Sequence, residues 1–120
     1  MIVALHLSEP PSANRYWRHV GPRVLLSREA KAYRLAVRAE YVRTLGTLRV
    51  AFPDGPLAVA LTWHRSRKSG DLDNRIKITL DSLRGTAYMD DAQIVRINAE
   101  RKESPRNGYL LVTVTREAVA

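Results

Sequence analysis

The chain has 120 residues, with 20 lysines and arginines against 12 aspartates and glutamates, which gives a formal net charge of +8. This length predicts one domain with a core of its own, and the absence of cysteine excludes disulfides, thiolate zinc sites and cysteine nucleophiles. No segment has the pattern of a signal peptide or the ~18 to 20 apolar residues of a membrane span, so we expect a cytoplasmic protein. The charge and the excess of arginine indicate nucleic acid as a partner, although an anionic membrane surface or a basic protein without a special partner would also fit.

In chain order, the hydrophobic pattern predicts four strands and two helices. Alternating apolar residues indicate half-buried strands, and apolar residues that recur every three to four positions indicate helices. The predicted strands cover about residues 2–7, 57–64, 94–102 and 109–116, and the predicted helices cover about residues 28–45 and 73–84. Ser27 can cap the first helix, while Gly46 and Gly85 can end the two helices. We therefore expect a small α/β (α+β) domain over residues 1–120, in β-α-β-α-β-β order, with a mixed sheet flanked by two helices.

Two basic segments interrupt this pattern. Residues 12–19 mix arginines with aromatic side chains and are expected to form a loop, and a second basic loop covers residues 65–70. The candidates for contacts with DNA phosphates are Arg15, Arg18, Arg65, Arg67 and Lys68. Tyr16 and Trp17 could stack on bases, although packing in the core explains these two aromatic residues equally well.

The aspartates are concentrated in one stretch. Five of the six fall within residues 71–91, as Asp71, Asp73, Asp81, Asp90 and Asp91. Two like charges 4 Å apart repel by about 1 kcal/mol even in bulk water, so this crowding favours a divalent cation as the counter-charge. Asp71 and Asp73 can reach one ion only from extended backbone, which a strand-to-helix junction would provide. Oxygen ligands without cysteine or a histidine cluster favour Mg²⁺ or Mn²⁺ over zinc, and the plain alternative is that Asp73 caps the helix.

Lys77 lies one helical turn from Asp73 and one turn from Asp81. We expect the three side chains to share a polar stripe, with Asp81 facing Lys77. Surface ion pairs of about 0.5 kcal/mol each would explain this spacing. Beside a metal ion, however, the ammonium could stabilise charge that develops on a phosphate or hold the attacking water.

Two blocks of the sequence resemble the RusA-type Holliday junction resolvases, which are endonucleases frequent in phages and prophages. The first block, residues 10–19, reads PPSANRYWRH and is similar to the proline, asparagine and arginine signature of that family. The second and more specific block reads DLDNRIK from Asp71 and continues through LDSL to DDAQIV, which begins at Asp90. The resemblance spans most of the chain and implies a small α/β domain that forms a symmetric homodimer.

The resemblance also implies roles for individual residues. Asp71, Asp73 and Asp91 are expected to bind a catalytic Mg²⁺, for which Mn²⁺ could substitute, with Lys77 as the accompanying cation and Asp90 as a neighbouring or alternative ligand. The first block adds Asn14 and Tyr16 to the expected DNA-binding residues. The expected activity is resolution of four-way DNA junctions by paired symmetric nicks. The alternatives are a nuclease of the same chemistry that prefers flaps, forks or duplex, a non-catalytic DNA-binding accessory protein, and a protein-interaction module.

Overall fold

The structure is a computed structural model that describes residues 1–67, 70–104 and 106–117, and only the backbone of residues 13 and 14. Its strands are β1 (Ile2–Ser8), β2 (Trp17–Val20), β3 (Arg23–Leu26), β4 (Leu57–Arg65), β5 (Ile94–Glu103) and β6 (Tyr109–Arg116). Its helices are α1 (Ala13–Tyr16), α2 (Arg28–Leu45) and α3 (Leu72–Ser82), and a 3₁₀ turn, η1 (Asp91–Gln93), precedes β5.

Four strands form the main sheet in the order β1-β6-β4-β5. β6 pairs antiparallel with both β1 and β4, whereas β5 pairs parallel with β4. The chain reaches β5 from β4 by a crossover through α3, as a parallel pair requires. The sheet is therefore mixed, and the predicted fold class and the order of its six main elements are confirmed.

One face of the sheet carries the core. The inward residues of β1 are Val3, Leu5 and Leu7, which are all buried, as their alternation predicted. α2 buries Tyr33, Val37 and Tyr41, which recur every four residues along one face of the helix. Among the described residues, no helix combines the length and the apolar character needed to cross a membrane.

The ends of α2 follow local signals in the sequence. The Ser27 side chain accepts a hydrogen bond from Ala30 N at 3.1 Å, which satisfies one of the unpaired N–H groups of the first turn. Gly46 ends the helix in the left-handed conformation with φ of 71°, where a side chain would be strained. Both predicted helix boundaries are confirmed.

The prediction of a loop over residues 12–19 is wrong. The segment contains α1 and β2, and β2 forms an antiparallel hairpin with β3 around Gly21. Tyr16 is fully buried, and its carbonyl oxygen accepts a hydrogen bond from Ser27 N at 2.9 Å. Trp17 and Leu26 pair across the hairpin and both pack against the core. These contacts with distant residues order a segment that has no periodicity of its own.

Candidate metal and DNA site

Asp71 and Asp73 lie where β4 leads into α3. Asp71 has extended backbone, with φ of −96° and ψ of 142°, and occupies the position just before the helix. Asp73 lies in the first helical turn, where the helix dipole favours negative charge. Both residues are exposed, the Asp71 side chain does not cap the helix, and neither carboxylate is paired with another described residue. The predicted strand-to-helix junction is confirmed, and Asp73 is not the cap.

The backbone just before Asp71 is tightly enclosed. Gly70 has φ of +96°, and a Cβ atom there would lie 3.1 Å from Arg75 Nη2 and 3.2 Å from the Trp63 ring. Arg65 Nη1 donates a hydrogen bond to Gly70 O at 3.2 Å. Glycine is therefore required at position 70, and these contacts orient the peptide that leads into Asp71.

A partly buried network centred on Glu9 supports the same junction. The Glu9 carboxylate accepts hydrogen bonds from Trp63 Nε1 at 2.8 Å, from Ser66 N at 3.2 Å and from Ser66 Oγ at 2.7 Å. Arg75 lies over the Trp63 ring, 5.0 Å from its centroid, and donates to Pro10 O. The network therefore joins the end of β1, the end of β4 and the first turns of α3.

The ionisation of this network follows from its surroundings. Burial opposes the charge on Glu9, but the hydrogen bonds from Ser66 and Trp63 outweigh it and hold the pKa of Glu9 below its usual value. Burial also opposes the charge on Arg75, and this lowers the pKa of Arg75. Sequence reasoning misses this role of Glu9, because a single glutamate beside prolines belongs to no recognisable pattern.

The predicted pairing of Asp81 with Lys77 does not occur among the described contacts. Lys77 is exposed and forms no ion pair with any described residue. Asp81 instead accepts hydrogen bonds from Tyr16 Oη and, at 3.0 Å, from Arg34 Nη1. Burial and the bond to Asp81 raise the pKa of Tyr16. The prediction that Asp81 faces Lys77 is wrong because α1 and α2 supply partly buried partners, which a pattern within one helix cannot reveal.

Asp90 caps the turn that leads into β5. Its carboxylate accepts from Ala92 N at 2.9 Å, while Gln93 Oε1 accepts from Asp90 N at 3.0 Å. The bond from Ala92 N lowers the pKa of Asp90, and the neighbouring Asp91 carboxyl and Arg84 add to this effect. Gln93 Nε2 also donates to Phe52 O and Gly55 O, both at 3.1 Å. The spacing of Asp90 and Gln93 is that of a capping box, a signal that could have predicted the structural role of Gln93.

The two acidic pairs lie at opposite ends of the crossover. The β4–β5 register pairs Leu57 with Ile94 and Arg65 with Glu103, so Asp91 precedes β5 at the end of the sheet where β4 begins. Between the pairs lies α3, whose 11 residues span about 16 Å at 1.5 Å per residue. In the part of the chain that the structure describes, no group of three or more acidic or histidine residues is placed to hold a metal ion. Joint binding of one ion by Asp71, Asp73 and Asp91 stays a prediction.

Two of the predicted DNA contacts line a cleft that also includes Arg75, one helical turn after Asp71. Arg15, Arg67 and Arg75 line this cleft of about 460 Å³ together with Glu9 and Ser66. Arg15 and Arg67 are exposed, so their guanidinium groups can reach a phosphate from opposite sides. Below, this space is called the Arg15–Arg67 cleft.

The other predicted DNA contacts have different surroundings. Tyr16 is fully buried, so stacking on a base is not open to it and core packing is its role. Arg65 is paired with Glu103 at 2.8 Å with only 11% of its side chain exposed, which makes its role structural. Arg18 is exposed on β2. Lys68 and the side chain of Asn14 lie outside the described part of the structure.

Comparison with known proteins identifies the family. The family model for endodeoxyribonuclease RusA matches residues 8–115. Crossover junction endodeoxyribonuclease RusA of Escherichia coli (strain K12) is 32% identical over 114 residues, which cover 93% of this chain and 92% of that relative. The protein of the same name from Shigella sonnei (strain Ss046) has the same identity and coverage. The one from Enterobacteria phage 82 is 32% identical over 108 residues, or 88% of each chain. The chain belongs to the RusA endodeoxyribonuclease family.

Proposed function

We propose that this protein is a divalent-metal-dependent endodeoxyribonuclease that resolves four-way DNA junctions in the cytoplasm by paired symmetric nicks. Membership of the RusA family over residues 8–115 supports the reaction class. The observation that carries the proposal is the position of Asp71 and Asp73. Two exposed carboxylates without a partner among the described residues stand at the start of α3, and Arg75 of the same helix lines a cleft with Arg15 and Arg67, in a protein whose formal net charge is +8.

The donor atoms at this junction suit a hard divalent cation. Asp71 and Asp73 offer carboxylate oxygens, which are the ligands that Mg²⁺ and Mn²⁺ prefer. Because these carboxylates have no partner among the described side chains, binding an ion there breaks no described ion pair. A Mg²⁺ ion, when bound, would activate water and stabilise the leaving oxygen, which gives 5′-phosphate and 3′-hydroxyl ends.

The protein's own groups position the DNA at this junction. Arg15 and Arg67 hold backbone phosphates on the two sides of the cleft. The exposed ammonium of Lys77, one turn after Asp73, stabilises negative charge on the scissile phosphate or orients the attacking water. The Glu9 network and Gly70 keep Asp71 in a fixed position relative to the cleft.

We propose that a homodimer completes the ligand set. In one copy, Asp71 and Asp73 follow the end of β4 whereas Asp91 lies at the end of the sheet where β4 begins, so a second copy that brings its own Asp91 to this junction would supply the missing carboxylate. A twofold enzyme also matches the two opposed strands that a symmetric resolution reaction must cut.

The experiment compares a mobile four-way junction with linear duplex of the same sequence, with and without Mg²⁺. We expect symmetric nicks in the junction alone, and the Asp71→Asn variant should bind the junction as tightly as wild type, or more tightly, without cutting it. Equal cleavage of both DNAs would favour a general nuclease, and no cleavage of any DNA would favour the accessory protein. Joint loss of binding and cleavage in Asp71→Asn would contradict a metal-binding role.

A mixture of two inactive variants tests the shared site. If Asp91 acts across the dimer, a heterodimer of Asp71→Asn and Asp91→Asn chains contains one intact site and one doubly altered site, so single-strand nicking should return on mixing. If both residues act within one chain, every site in the mixture is defective and no activity returns.

A further inference from the structure

The hairpin formed by β2 and β3, called here the β2–β3 ribbon (Trp17–Leu26), is exposed on both faces. Every residue from 18 to 25 is exposed, including Val20 at 42% and Val24 at 56%, while the two ends pack against the core. A two-stranded hairpin without cover is marginally stable in water. A ribbon that carries apolar side chains into solvent on both faces therefore points to a binding partner.

The charge of the ribbon indicates which class of partner it binds. Residues 10–28 contain Arg15, Arg18, Arg23 and Arg28 and no acidic residue. The register pairs Arg18 with Leu25 and Val20 with Arg23, so Arg18 and Arg23 lie on the same face. Neither arginine forms an ion pair with a described residue. In a twofold-symmetric contact between two chains, this cationic patch would face its own copy, and the like charges would repel. A polyanion is therefore favoured over a second chain as the partner.

The base of the ribbon is connected to the site of cleavage. Tyr16, the residue before the ribbon, is hydrogen-bonded to Asp81 of α3, and its carbonyl oxygen is bonded to Ser27 N at 2.9 Å. Arg15 precedes Tyr16 and lines the Arg15–Arg67 cleft. A DNA backbone bound by Arg15 would therefore lie close to the base of the ribbon, which begins two residues later.

We propose that the β2–β3 ribbon binds a duplex arm of the branched substrate, with Arg18 and Arg23 on backbone phosphates and Val20, which lies on the same face, against the groove. Two strands about 4.8 Å apart fit within a major groove about 12 Å wide. This inference rests on the proposed function and extends it, because it assigns a separate element to an arm away from the scissile phosphate.

The first experiment measures binding to a four-way junction without Mg²⁺ at several salt concentrations. The Arg18→Gln/Arg23→Gln variant should bind more weakly, by about eightfold per lost phosphate contact at 100 mM salt, and its salt slope should fall by about 0.9 per contact. The control is Arg43→Gln/Arg49→Gln, which removes the same charge near the far end of α2 and should change affinity less than twofold. An unchanged slope, or an equal loss in the control, would overturn the proposal. Thermal melting checks that both variants are folded.

The second experiment uses the absence of native cysteine. A photo-crosslinker attached to Val20→Cys should react with a junction arm, whereas the same group on Leu48→Cys, which is 60% exposed in wild type, should not. Crosslinks between two protein chains would identify a second copy as the partner and refute the proposal. If the ribbon crosslinks DNA but wild type cuts no DNA, the proposed nuclease function fails and the binding role stands. If wild type resolves junctions but the ribbon neither crosslinks DNA nor affects affinity, the binding role alone fails.

Discussion

Replacing Glu9 by glutamine removes the charge at the centre of the network behind Asp71 and leaves the shape of the side chain nearly intact. The amide oxygen of glutamine can still accept hydrogen bonds from Trp63 Nε1 and Ser66 N. Its NH₂ group can donate to Ser66 Oγ, because a hydroxyl both donates and accepts. Three hydrogen bonds therefore remain possible, so the substitution measures the contribution of the negative charge.

The expected loss of stability follows from the three contacts. A hydrogen bond to a charged group contributes about 1.5–3 kcal/mol and a neutral one about 0.5–1.5 kcal/mol. Because Glu9 is partly exposed, solvent weakens the difference between a charged and a neutral acceptor at each bond. The loss of charge at the three bonds, together with the lost attraction to Arg75, should lower the unfolding free energy by about 1–2 kcal/mol. For a chain of this length, that loss lowers Tm by about 4–8 °C.

The dependence on pH identifies the charge as the cause. The pKa of Glu9 is lower in the folded protein than its ordinary value of about 4.3. Its contribution to stability is therefore fully present above the ordinary pKa and disappears as the pH falls through the folded pKa. The difference in unfolding free energy between wild type and Glu9→Gln should be complete at pH 7 and should shrink below about pH 4.

Urea unfolding followed by tryptophan fluorescence over a pH series measures this difference. The control is Glu100→Gln, which removes an exposed carboxylate whose ion-pair partner, Lys102, is 3.9 Å away, and it should change stability by less than about 0.5 kcal/mol. A Glu9→Gln protein as stable as wild type at pH 7 would refute the charge-centred network. So would a difference that stays constant or grows on acidification.

Two further substitutions test contacts away from Asp71, one made by Gln93 before β5 and one made by Asp81 near the end of α3. Gln93→Glu should lower the unfolding free energy by about 2–4 kcal/mol, because a carboxylate cannot donate to Phe52 O and Gly55 O as the amide does. Chemical denaturation measures this loss. A variant as stable as wild type would contradict the two contacts. Tyr16→Phe should lower the unfolding free energy, measured by thermal melting, by about 1–2 kcal/mol because Asp81 loses a hydrogen bond. The control Tyr109→Phe removes a hydroxyl without a described partner and should lower it by less than about 0.5 kcal/mol. Equal effects of the two substitutions would refute the Tyr16 contact.

The parts of the fold that could be predicted depend on local signals. The alternation in β1, the fourfold spacing in α2, the Ser27 cap and the Gly46 stop each occur within one element. Short-range sterics and hydrogen bonds act within such an element whatever surrounds it. The position of Asp71 at a strand-to-helix junction could be predicted for the same reason, because the junction is marked by the start of the helical pattern.

The errors concern contacts between residues far apart in the sequence. Asp81 is 65 residues from Tyr16 and 47 from Arg34, and Glu9 is 54 residues from Trp63. A periodic pattern says which face of a helix is polar and gives no information about which distant group meets it. For this reason a pattern within α3 pairs Asp81 with Lys77, its neighbour on the same helix.

The same distinction explains why the acidic cluster in the sequence is divided in the structure. Asp71 and Asp91 are 20 positions apart, but the segment between them is the crossover of a parallel strand pair. Such a crossover returns the chain from the end of one strand to the start of the next. The residues just before and just after it therefore lie at opposite ends of the sheet, and the helix α3 between them is about 16 Å long, several times the reach of an aspartate side chain. Rotation of side chains within one copy does not span an element of that length, which is why the proposed site takes Asp91 from a second chain.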